Sequence, residues 1–118
     1  MNIFIRTDAS TNIGTGHVMR CLTLADALRQ KAPHISFICR EEPGNLISYI
    51  ENRGYKVHRL PGEIDIEMDR RLTKEFLSKY ETKPDWLIMD HYDIDISWEY
   101  SLRKYAKKLM VIDDLANR

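Results

Sequence analysis

The chain opens with Asn2-Ile3-Phe4-Ile5-Arg6, a polar run Thr7-Asp8-Ala9-Ser10-Thr11-Asn12, and then Gly14-Thr15-Gly16-His17-Val18-Met19-Arg20. The first five residues are short, β-branched and aromatic, which predicts a buried strand. From Gly16 to about Lys31, Val18, Cys21, Leu22, Ala25 and Leu28 recur at helical spacing. The glycines therefore sit at a corner where a strand gives way to a helix. Glycine lets the backbone turn sharply and come close to a ligand. The helix aims its first N–H groups, and the positive end of its dipole, at whatever lies in front of that corner. Thr15 stands at the capping position, where its hydroxyl can accept an early N–H.

The same alternation continues outward. His34–Arg40 reads as a second strand after Pro33 ends the first helix. Pro43 opens a second helix over Asn45–Asn52, with Leu46, Ile47 and Ile50 turned inward. Gly54 suits the position just past its end, and Tyr55–Leu60 forms a third strand. A charged helix is expected from about Glu67, on the spacing of Met68, Leu72, Phe76 and Leu77. Trp86–Asp90 is a fourth strand, Ile94–Ala106 a further helix with Trp98, Leu102 and Tyr105 facing in, and Leu109–Ile112 a fifth strand. Strands and helices that alternate this regularly argue for an α/β fold, a doubly wound parallel sheet covered on both faces. Right-handed crossovers then favour the strand order 3-2-1-4-5.

At 118 residues, 43% apolar and 31% charged, the chain reads as one globular domain. Eighteen basic residues balance eighteen acidic ones, so no global field draws nucleic acid or an anionic membrane. No apolar run approaches a membrane span and no signal pattern precedes the first strand, so a cytoplasmic location is expected. Cys21 and Cys39 lack metal-ligand spacing and read as buried free thiols.

In the doubly wound order, the loops after strands 1, 4 and 5 open on one rim, where ligands of such sheets bind. That rim is expected to gather Arg6, Asp8 and the Gly14–His17 corner with Asp90, His91 and Tyr92, and Asp113 and Asp114 alongside. His17 suits a general base, since an imidazole titrates at about 6.5 and a helix N-terminus disfavours its cationic form. A capping or packing histidine is the alternative. Gly-Thr-Gly fits close approach to a phosphate or sugar, or simply a tight turn. Met19 replaces the third glycine of a dinucleotide fingerprint, and no Walker Gly-Lys-Ser/Thr is present. Arg20, three residues after His17, shares its helix face and either binds a phosphate or carboxylate or pairs with Asp8 or Asp90. Tyr92 is placed to hydrogen-bond a sugar or hold a water. The scattered carboxylates raise a magnesium or phosphoacceptor site. A receiver-like site, however, wants adjacent acids after the first strand, where only Asp8 stands. No metal and no cofactor are expected.

Three separated blocks together resemble one family. They are Ile5–Ser10 continuing through Ile13–Ala25, Trp86–Tyr92 followed by Trp98-Glu99, and Val111–Arg118. The pattern is similar to the nucleotide-sugar hydrolases of pseudaminic acid biosynthesis and to related spore-coat polysaccharide biosynthesis proteins. The resemblance implies a Rossmann-like N-terminal half of a two-domain, GT-B-type architecture. It also implies cleavage of a UDP-linked diacetamido-trideoxy sugar by water attack at the anomeric carbon. It makes His17 the catalytic residue and puts Tyr92 near the sugar and the reacting water. Arg6, Asp8, Gly14, Thr15, Gly16, Arg20 and Asp90 are then expected to line the substrate pocket. Family members continue past this point. Residues 1–118 are accordingly expected to be an N-terminal domain without its C-terminal nucleotide-binding partner, and weakly active or inactive alone. A GT-B sugar transferase and a non-catalytic sugar- or nucleotide-binding module are the competing readings.

Overall fold

The computed structural model describes residues 1–80, 83–90 and 100–112. Strands β1 (Asn2–Thr7), β2 (His34–Arg40), β3 (Lys56–Leu60), β4 (Trp86–Asp90) and β5 (Lys108–Val111) form one parallel sheet. Its order is β3-β2-β1-β4-β5, as the alternation predicts. The central strand β1 pairs Ile5 with Phe37 of β2 and with Ile88 of β4, and Thr7 with Asp90. Strand pairing therefore brings the carboxyl ends of β1 and β4 side by side. This mixed α/β arrangement is consistent with a Rossmann-like fold.

Side chains alternate across the sheet and feed two cores. Ile3, Ile5, Phe37, Cys39 and Ile88 pack with Val18, Cys21, Leu22 and Ala25 of α1 (Gly16–Leu28) and with Ile47 and Ile50 of α2 (Ile47–Asn52). Phe4, Ile38, Leu87 and Met89 pack on the other face with Leu77 of α3 (Ile66–Ser78) and with Leu102 and Ala106. Helices thus cover both faces, which a parallel sheet requires. A cluster of edge-to-face rings, Phe4 on Phe76 and Tyr80, seals the second core near the amino end of β1.

Helix boundaries differ from expectation in informative ways. Thr15 does occupy the cap of α1, but its hydroxyl makes no capping bond. Its backbone is already helical (φ −111°, ψ −5°) rather than extended, the geometry from which a cap side chain reaches forward. Helix α2 starts at Ile47 because Asn45 first forms a local turn, accepting from the Ile47 N–H and donating to the Glu42 carbonyl. Helix α3 starts at Ile66, where Asp65 accepts the Met68 N–H at 2.8 Å. Glu67 and Asp69 in its first turn complement the dipole. Gly54 follows α2 with φ +95°, as read. Of the helix expected over residues 94–106, the described part is residues 100–102, which are helical with Leu102 buried, followed by a 3-10 turn at Arg103–Tyr105. Trp98 lies outside the described residues. Among those residues, no helix is long and apolar enough to cross a membrane.

Candidate active site

Parallel pairing to β1 carries β4 to its last residue, Asp90, which lies beside Thr7 and is fully buried. Its side chain shares the sheet face of Ile88, the face that α1 covers. There the first turns of α1 deliver His17 and Arg20. His17 Nδ1 lies 2.6 Å from Asp90 Oδ1. Two lone pairs at that separation would repel, so Nδ1 carries the hydrogen and donates it. The basic lone pair of this tautomer is on Nε2. Arg20 grips the same carboxylate with Nε at 2.6 Å from Oδ2 and Nη2 at 2.5 Å from Oδ1. Arg20 Nη2 also comes within 3.3 Å of His17 Nδ1. Cys21 joins them, its thiol donating to Asp90 Oδ2 at 3.6 Å. Burial first, and then the Asp90 charge, push that thiol up to about 12, so it stays protonated.

The glycine corner lies immediately before this group. Gly14 has φ +78°, and it closes the loop through paired hydrogen bonds with Ser10. Gly16 opens α1 with an ordinary backbone, and a Cβ built there would meet nothing within 4 Å among the described residues. The loop is held from its far side by Thr11, whose N–H donates to the Pro43 carbonyl at 2.9 Å.

Arg6 and Asp8 are brought together elsewhere. Strand alternation puts Arg6 on the opposite sheet face from Asp90, beneath α3. Both residues are buried. Arg6 forks onto Asp8 at 2.8 and 2.9 Å and also donates to Asp69 of α3. Arg40 joins through Nε to Asp69 at 2.7 Å and through its backbone N–H to Asp8 at 2.8 Å. Burial alone would lower the Arg6 guanidinium, but Asp8 and Asp69 outweigh it and hold it above its usual range. Burial likewise raises the Asp69 carboxyl, and Arg6 and Arg40 more than reverse that, leaving it below the carboxylate norm. The expected rim thus divides into two clusters, His17–Arg20–Asp90 on the α1 face and Arg6–Asp8–Arg40–Asp69 on the α3 face.

Asp69, Arg40 and Cys21 did not enter the sequence reading of the site. Asp69 carries a usable signal, because it stands four and eight residues before the inward-facing Thr73 and Leu77. An acid on the buried face of a helix needs a partner. Tyr92, His91, Asp113 and Asp114 lie outside the described residues.

Fold and site together define a parallel α/β domain with a histidine–carboxylate pair beside a glycine-lined helix N-terminus. No family model matches the chain. It is 32% identical over 115 residues to an uncharacterized protein of Methanocaldococcus jannaschii, covering 97% of this chain and 22% of that protein. It is also 32% identical over 115 residues to the UDP-2,4-diacetamido-2,4,6-trideoxy-beta-L-altropyranose hydrolase of Campylobacter jejuni, covering 97% of this chain and 37% of the hydrolase. The chain spans well under half the length of both relatives.

Proposed function

We propose that the chain is the water-activating, N-terminal part of a nucleotide-sugar hydrolase. Its substrate is a UDP-linked diacetamido-trideoxy sugar, and a second domain of a GT-B-type architecture supplies most contacts to the nucleotide. The observation that carries this reading is the His17–Asp90 hydrogen bond at the mouth of the Gly14–Gly16 corner. Likeness to the Campylobacter hydrolase over nearly the whole chain supports the choice of substrate class.

In the proposed reaction, a water oxygen attacks the anomeric carbon as the bond from that carbon to the diphosphate oxygen breaks. His17 Nε2 takes the proton of the attacking water, and the leaving UDP keeps the bonding electron pair. Asp90 holds the imidazole through Nδ1 and favours the imidazolium that forms. Base catalysis of this kind is worth about 100- to 10,000-fold. Thr15 and Gly16 present backbone N–H groups and the helix dipole to the departing diphosphate, and Gly14 turns the backbone so that it can approach closely. Tyr92 holds sugar or water. Arg6 and Asp8 act from beneath, by fixing the end of β1 from which the corner loop departs.

The test is UDP release from the nucleotide sugar by the chain extended to the full length of its relatives, with and without His17→Asn. Release that depends on His17 and needs no sugar acceptor is the expected result. Release only with an acceptor would make the protein a transferase, and binding without either reaction would make it a module.

A further inference from the structure

We propose that Arg20 is a positioning residue, the counter-charge of Asp90 that keeps His17 a neutral, proton-accepting imidazole. Asp90 is an ionisable group at the end of a central strand with no exposed surface. A carboxylate there needs compensation by charge as well as by hydrogen bonds. Among the described residues, the titratable and charged groups gathered on it are His17, Arg20 and Cys21, all from α1. Cys21 is a weak neutral donor. Of these three, Arg20 alone brings a permanent positive charge, delivered through two short bonds in the planar fork that fits a carboxylate.

The consequence follows from charge balance. Without the guanidinium, the group among the described residues beside the buried carboxylate that can acquire a positive charge is His17. It would do so by protonating Nε2 while still donating Nδ1–H to Asp90. An imidazolium cannot take a proton from water. The carboxylate that orients the base would then disable it, unless a second cation holds its charge. Arg20 is suited to that task because the i, i+3 relation on α1 makes it move with His17. Its side chain is about one-third exposed, 34%, so it approaches Asp90 from the solvent side. A guanidinium so neutralised is a poor anchor for a substrate phosphate.

The effect on turnover rests on the hydrolase reading, whereas the charge state of His17 does not. The test therefore has two arms. In the first, the 15N-labelled chain is examined at neutral pH by long-range 1H–15N correlation of the His17 ring. The native ring should give the neutral pattern with hydrogen on Nδ1. Arg20→Gln should convert it to the pattern of two protonated nitrogens. Arg20→Lys should keep it neutral, and Arg20→Gln combined with Asp90→Asn should restore neutrality. Arg20→Met, which keeps the apolar stem, serves should Arg20→Gln not fold. A ring that stays neutral in the folded single variant overturns the proposal.

In the second arm, the full-length protein should lose about tenfold or more in kcat with KM changed less than about threefold, and Arg20→Lys should recover part of the loss. A rise in KM with kcat intact and the ring signature unmoved would make Arg20 a substrate contact instead. Absence of turnover in every form would overturn the hydrolase reading and leave the ring measurement to decide on Arg20.

Discussion

His17 and Asp90 stand seventy-three residues apart in the chain and share a 2.6 Å hydrogen bond that ties the start of α1 to the end of β4. Asp90→Asn keeps the shape of that contact and removes its charge. An amide can present either an oxygen or an N–H to the ring, so the Nδ1–H tautomer is no longer enforced. Within the hydrolase reading, kcat should fall by about 100- to 10,000-fold while the protein stays folded. Steady-state kinetics together with a circular dichroism spectrum checks this; an unchanged kcat would remove Asp90 from the mechanism.

The second cluster predicts stability rather than turnover. Asp69 is buried between Arg6 and Arg40, so Asp69→Ala leaves two guanidinium groups short of a partner. Breaking a buried pair from one side costs about 3–5 kcal/mol. Urea denaturation should show a loss of that size, whereas truncating the exposed partner in the Arg59–Glu51 pair should change stability by less than about 1 kcal/mol.

The same carboxyl sets a pH dependence. Burial raises Asp69, but Arg6 and Arg40 prevail and hold it below its value in the unfolded chain. The unfolded state therefore binds the proton more readily. The stabilisation is complete above the ordinary carboxylate range, near about 4, and drains away as pH falls through the lower folded value. Urea midpoints measured from about pH 6 down to about pH 3 should fall, and they should fall less steeply in Asp69→Asn.

Three glycines at the carboxyl edge should respond differently to alanine. Gly44 has φ +82°, and a Cβ there would lie 2.6 Å from the Thr11 backbone nitrogen, so Gly44→Ala combines strain with a clash. Gly14, at φ +78° with no described atom within 4 Å of a built Cβ, carries the strain alone, about 1–2 kcal/mol. Gly16 carries neither. Gly16→Ala should leave stability within about 0.5 kcal/mol and weaken nucleotide-sugar binding, because its methyl enters the space assigned to the diphosphate. Thermal melts and KM separate the three; unchanged KM in Gly16→Ala would free that space of substrate.

Both cysteines are buried free thiols. Burial, the largest cause for each, pushes Cys21 up to about 12 and Cys39 higher still. Alkylation at mildly alkaline pH should therefore track unfolding rather than thiol chemistry, and denaturant should expose two equivalents. Rapid labelling of either thiol in the native chain would contradict this packing.

Much of the framework is written locally in the sequence. Apolar runs at His34–Arg40 and Trp86–Asp90 became strands with those bounds, because short β-branched segments between turn signals leave little room for register error. Helix starts were less legible. The true cap of α3 is Asp65, two residues before the expected start, and Thr15 holds its place without using its hydroxyl. Capping is decided by backbone angles that residue type alone leaves open.

By itself, the sequence determined the parallel α/β class, the strand order and the placing of a histidine at a glycine-lined helix start. Each follows from short-range periodicity and from the few ways right-handed crossovers can be stacked. Only the tertiary structure decided which polar residues meet. Arg6 and Asp90 end neighbouring strands, yet their side chains leave opposite faces of the sheet. One joins Asp69 beneath α3, and the other joins His17 and Arg20 beneath α1. A shift of one residue in register exchanges those faces. The partnership of base, carboxylate and counter-charge was therefore settled by the pairing of β4 against β1, a contact between segments some eighty residues apart.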